Sequence, residues 1–71
     1  MDIAQATRRK RVAYIPGHAH GDITHLDVEY GYVSSHNKFN VFVKFDKQLK
    51  LLGWDGTTSQ SCNPDDLREI L

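Results

Sequence analysis

The chain has 71 residues, enough for one small domain and too few for a two-domain enzyme. No apolar run approaches the roughly 20 residues of a membrane-spanning helix, and a single cysteine, Cys62, excludes an internal disulfide framework and a cysteine-rich zinc site. Net charge is zero but comes in blocks: residues 1–21 carry +3, 22–37 carry −3, 38–50 carry +3 and 51–71 carry −3, which permits one basic patch on a balanced surface and argues against a whole-surface nucleic-acid binder.

Residues 1–10 show no periodic apolar face and no signal-peptide pattern, so they are expected as a flexible basic arm before a single domain over 11–71. Residues 11–16 predict a strand, because β-branched and aromatic side chains alternate there and Pro16 ends the ladder. Residues 17–29 form a polar loop opened by Gly17 and broken by Gly21, long enough to be a functional suspect. Residues 30–35 predict a second strand, and His36, Asn37 and Lys38 a tight turn. Residues 39–45 hold the strongest alternation, with Phe39, Val41, Val43 and Phe45 assigned to the core and Asn40, Phe42 and Lys44 to the wetter face.

Residues 46–57 are expected as a connection, turn-like at Gly53 and Gly56, with Leu49, Leu51 and Leu52 folded over an open end of the sheet. Residues 58–62 predict a short strand. Asn63 is a good N-cap, Pro64 suits the first helical position, and Asp65 and Asp66 complement the helix dipole, so a short helical turn follows. Leu67, Ile70 and Leu71 then either continue the turn against the sheet or, with residues 68–71, form a last strand.

Short strands in so small a domain need their edges closed or covered, which predicts a mainly β protein of four to five strands in a strongly bent barrel with a short C-terminal helical turn. With Val12, Ala13 and Tyr14, Gly31 to Val33, Val41 to Phe45, and Asp66 and Leu67 as carriers, this order resembles the SH3-like small barrels, including the KOW and Tudor-type modules. A narrower set is similar to small bacteriophage and prophage proteins: Tyr14 to Pro16, His18 to Asp22, His25, Asp27, Glu29 to Gly31, Val33 to Ser35, and Val41 to Phe45. That second resemblance implies a phage accessory protein in the host cytoplasm and supplies no mechanism.

Three constellations carry chemistry. Arg8, Arg9, Lys10 and Arg11 are the only dense charge run and are suited to phosphates; Lys44, with Phe42, Tyr30 or Tyr32, extends them into a stacking platform. The blander alternative is a solvated arm that protects a strand edge. Trp54 either lines a partner-binding rim or closes the barrel bottom with Leu51 and Leu52. The third group is the imidazoles and carboxylates of His18, His20, Asp22, His25 and Asp27. They have the donor chemistry for a metal, although polar side chains in such loops more often bond their own backbone. No strained nucleophile elbow and no phosphate-cradling glycine loop is present. The expectation is therefore a non-enzymatic binding module without a cofactor, contacting nucleic acid or a host protein, with a metal-binding loop as the alternative.

Overall fold

Alternation of β-branched and aromatic residues with small or polar ones builds the central strands. In a computed structural model, which describes residues 1–70, these are β1 (Arg11–Tyr14), β2 (Glu29–His36) and β3 (Val41–Phe45). An α-helix, α1 (Asp46–Gly56), follows, then β4 (Gln60–Cys62) and β5 (Leu67–Glu69). All strand pairs are antiparallel in one sheet of order β4-β3-β2-β1-β5. The two outer strands, β4 and β5, do not pair with each other, so the sheet is open and the expected barrel closure is not reached.

Alternate residues of the central strands point inward, up to a bulge in β2 between Val33 and Ser35. Val12, Val33, Val41 and Val43 are fully buried, and Ala6, Phe45, Cys62 and Leu67 complete the core. Burying one such valine contributes about 1.5–3 kcal/mol relative to leaving it exposed. Gly31 sits in the same inward row, between Val12 on β1 and Phe45 on β3. The Cys62 thiol is pushed up to about 11 by burial, with Asp66 and Glu29 adding negative charge nearby.

Phe39 departs from the expected inward quartet. The Asn37 side chain accepts hydrogen bonds from the backbone N–H groups of Phe39 and Asn40 (2.9 and 2.8 Å), and the Asn37 N–H donates to Asn40 O. This Asx-type turn takes Phe39 out of the ladder, so β3 begins at Val41 and Phe39 is 77% exposed.

Residues 46–57, expected as a connection, are mostly helix. Lys47, Gln48, Leu49, Lys50, Leu51 and Leu52 are good helix formers, and Asp46 lies in the first turn, where the dipole favours it. Gly53, at φ 70°, breaks the helix into two pieces. The buried Thr57 hydroxyl donates to Gly53 O (2.6 Å), satisfying a carbonyl freed at that break. The apolar residues do not fall on one helical face: Leu51 is 81% exposed and Leu52 is also exposed, while α1 lies along β2 and β3.

Residues 1–10 do not form a detached arm. Asp2 caps a 3₁₀ turn (Ile3–Gln5), Ala6 is buried, and Met1 and Ile3 pack against the core. The Arg9 N–H donates to Val33 O (2.6 Å) and the Val33 N–H to Lys10 O (2.9 Å), which continues the β1–β2 ladder backwards. An open sheet leaves its inner face in need of cover, and this segment provides it.

At the other end, Asn63 caps the 3₁₀ turn Pro64–Asp66 by accepting from the Asp65 N–H (2.9 Å), as expected. Of the two alternatives for the last residues, β5 is a strand, and the Ile70 N–H donates to Arg11 O beyond it. Leu71 lies outside the described residues. Among the described residues no helix is long and apolar enough to cross a membrane.

Candidate functional site

On the outward face, strand register decides which side chains meet. Arg11 on β1 pairs with Tyr32 on β2, and Tyr32 pairs with Lys44 on β3, giving one row across three strands. Trp54, carried by the second piece of α1, sits beside this row. The Arg9 guanidinium lies 4.2 Å from the indole centroid, Lys44 Nζ 4.7 Å and the Arg8 guanidinium 6.0 Å. Lys44 Nζ also donates to the Trp54 carbonyl. Arg9, Tyr32, Leu49 and Trp54 line an open groove of about 300 Å³.

The other two residues of the basic run are already paired with carboxylates. Lys10 points to the other side of the chain and pairs with Glu69 (2.8 Å). Arg11 makes a bidentate pair with Asp46 (2.6 and 2.7 Å) and lies over Tyr32 (4.6 Å) and Tyr30 (5.6 Å). It ties β1 to the head of α1 and is already neutralised. Phe42 is half-buried opposite Ser35 and Ser61, outside the cluster around Trp54. Of the residues assigned to partner binding, Arg8, Arg9, Lys44, Trp54 and Tyr32 converge; Lys10, Arg11 and Phe42 do not carry free groups to that point, and Tyr30 lines a different groove.

That second groove, about 480 Å³, runs along α1 between Glu29, Tyr30, Phe45, Asp46, Lys47, Lys50 and Leu51. Its charges are mixed. The cluster around Trp54 is not mixed: among the described residues Arg8, Arg9 and Lys44 make no ion pair with a carboxylate. Leu49 and the placement of Trp54 escape sequence reading because both depend on α1, whose apolar residues show no helical stripe.

Hydrogen bonds from Arg11 hold the Asp46 carboxyl below the usual carboxylate range, against partial burial that would raise it; the Arg11 and Lys50 charges assist. A depressed folded-state value stabilises the protein above the unfolded value near 3.8 and ceases to do so as pH falls through the folded value. Asp46→Asn is therefore expected to lower stability near neutral pH by about 1 kcal/mol, a partly exposed pair being screened. The gap between the two proteins should narrow once pH falls below the unfolded value near 3.8, in urea titrations followed by circular dichroism at neutral and at acid pH. An equal gap at both pH values would show that the pair does not act through its charge.

In the loop between β1 and β2, His18 Nε2 lies 2.7 Å from Asp27 Oδ2, and the His18 and His25 rings meet edge to face at 5.3 Å. The Asp27 N–H donates to His25 Nδ1 (3.1 Å). Two metal candidates lie outside this grouping. His20 takes a left-handed conformation at φ 51°, and Asp22 accepts from the N–H and hydroxyl of Thr24 (2.9 and 2.7 Å), which holds its carboxyl below the usual range. Asp27 takes their place in the cluster with His18 and His25. Elsewhere, the Ser34 and Ser59 hydroxyls bond each other (2.6 Å), and among the described residues no serine or cysteine side chain is bonded to a histidine ring.

No protein-family model matches the chain, and no curated protein or solved structure does either.

Proposed function

We propose that this protein is a non-enzymatic binding module that holds a single-stranded stretch of nucleic acid on the face formed by Arg8, Arg9, Tyr32, Lys44 and Trp54. One observation carries the reading: three cations crowd within 6.0 Å of one indole centroid without a carboxylate partner. Like charges so close repel each other, and a run of phosphates relieves that repulsion while releasing counterions. A base entering the groove between Trp54 and Tyr32 would stack on the indole in place of the Arg9 guanidinium, which is then released to a phosphate, and stacking tolerates any sequence. Balanced net charge keeps this surface local and argues for a short footprint.

The strand order, the long loop after β1, the β2–β3 hairpin and the 3₁₀ turn before β5 support reading the open sheet as a variant of the SH3-like barrel. Together with the resemblance to small phage proteins, this favours an accessory role in the host cytoplasm.

Fluorescence anisotropy with a labelled single-stranded oligonucleotide over a range of salt tests the reading. Binding should weaken linearly on a log–log plot. The double substitution Arg8→Gln with Arg9→Gln should weaken it further and flatten the slope by about 1.4, at roughly 0.7 for each phosphate no longer neutralised. No binding at low salt, or a slope unchanged in the double variant, would overturn the proposal and turn attention to an acidic protein partner.

A further inference from the structure

We infer that the loop between β1 and β2 is a binding site for a divalent transition metal of the zinc type, held by His18, His25 and Asp27. The inference is independent of the nucleic-acid reading, since it concerns a different part of the surface and a different chemistry. Two imidazoles and one carboxylate each present a donor atom, and those atoms lie within 4.8 Å of one another. In a tetrahedral zinc site the metal–ligand bonds are about 2.0–2.2 Å, which places donors about 3.3 Å apart. Small side-chain rotations close that difference, and the side chains that must turn are free to do so: those of His18 and Asp27 are 62% and 60% exposed.

Backbone contacts, with the His25 ring accepting from the Asp27 N–H (3.1 Å), bring these donors together. Ile15 and Ala19 are buried, and the Ile15 N–H donates to Asp66 O (2.8 Å), anchoring the start of the loop beside β5. A succession of backbone turns follows, from the Ala19 N–H to Pro16 O through the Val28 N–H to His25 O. Arg68 donates to Gly21 O from outside the loop (3.2 Å). Leu26, 98% exposed, is turned to solvent between His25 and Asp27. The His18–Asp27 pair is therefore not needed to shape the loop, and its exposed position lets a metal replace the hydrogen bond with two coordination bonds.

Electrostatics favour a cation at this place. Residues 12–37 contain no lysine or arginine and carry Asp22, Asp27 and Glu29. The donor set is borderline, neither all-oxygen nor thiolate, which suits zinc, nickel or iron over magnesium or calcium. Three protein ligands leave at least one position for water or an outside donor.

The test uses tag-free, chelator-treated full-length protein and zinc chloride alone, followed by calorimetric titration and thermal melting. One zinc per chain should bind, and the melting temperature should rise as zinc increases. His18→Ala, His25→Ala and Asp27→Ala should each weaken zinc binding at least tenfold, while their metal-free melting curves stay close to that of the parent. His20→Ala and Asp22→Ala should bind zinc as the parent does, because the structure places both outside the donor set. No heat and no melting shift would overturn the inference. So would loss of binding in His20→Ala with retention in Asp27→Ala, which would mean a different set of ligands.

Discussion

Gly31→Ala is expected to destabilise this protein by about 3 kcal/mol. A methyl group at Gly31 would stand 2.6 Å from Lys44 O, 2.8 Å from Val43 Cγ1 and 3.1 Å from Phe45 Cα. Two of those three atoms are backbone, so no side-chain rotation relieves the clash. β3 cannot retreat freely, because it is bonded to β4 on its far side and α1 starts directly after Phe45. Overpacking a core costs about 1–3 kcal/mol even where side chains can shift, and the upper end applies where backbone must move. A chain of this size has a total stability of about 4–10 kcal/mol. A loss of about 3 kcal/mol corresponds to a fall in the urea midpoint on the order of 2 M or more. Urea denaturation followed by circular dichroism reads it directly. A variant within about 0.5 kcal/mol of the parent would mean that β3 does not approach Gly31 this closely.

The second large effect is on binding. Trp54→Ala removes the ring on which Arg8, Arg9 and Lys44 converge and one wall of the groove shared with Tyr32. Stacking one base on an aromatic side chain contributes about 1–3 kcal/mol, so affinity for a single-stranded oligonucleotide should fall about 5- to 150-fold. Trp54→Phe should recover part of that loss, since a smaller π face remains. Trp54 is the only tryptophan in the chain, so its fluorescence reports this site alone; a stacked base should quench it on titration. Because Trp54 is half-buried, the circular dichroism spectrum of each variant serves as the folding control. Unquenched fluorescence, or parent-like affinity in a folded Trp54→Ala protein, would place the interface elsewhere.

Both effects depend on parts of the chain that differ in how openly the sequence displays them. The inward run Val41, Val43 and Phe45 is legible because a strand of period two must put alternate residues on one face. The cap at Asn63 is equally legible, because its side chain acts within two residues of itself. Phe39 obeys the same alternation and still lies outside the core. The period states which residues would share a face, not where the strand begins, and the Asn37 side chain settles that point by capturing two N–H groups. Helix α1 is hidden for a related reason: its leucines make no single stripe, so Gly53 and Gly56 outweigh its propensity when the sequence is read alone.

The candidate sites divide in the same way. Residue chemistry alone separates a basic run from a loop of histidines and carboxylates. It cannot divide Arg8 and Arg9 from Lys10 and Arg11, which adjoin them in sequence. Strand direction and long-range pairing do that, sending Lys10 to Glu69 and Arg11 to Asp46. Nor does spacing distinguish Asp27 from Asp22 as the neighbour of His18, because loop turns reorder proximity.

What the sequence alone determined were the properties set by near neighbours: the alternating strands, the tight turn at Asn37, the capped turn at Asn63 and the kinds of functional group available. Tertiary structure decided the rest: an open sheet covered by its own first residues, three cations gathered on Trp54, and His18 set beside His25 and Asp27. Local patterns act through bonds a few residues long, whereas these groupings are fixed by contacts between segments far apart in the chain, whose energies depend on packing and register.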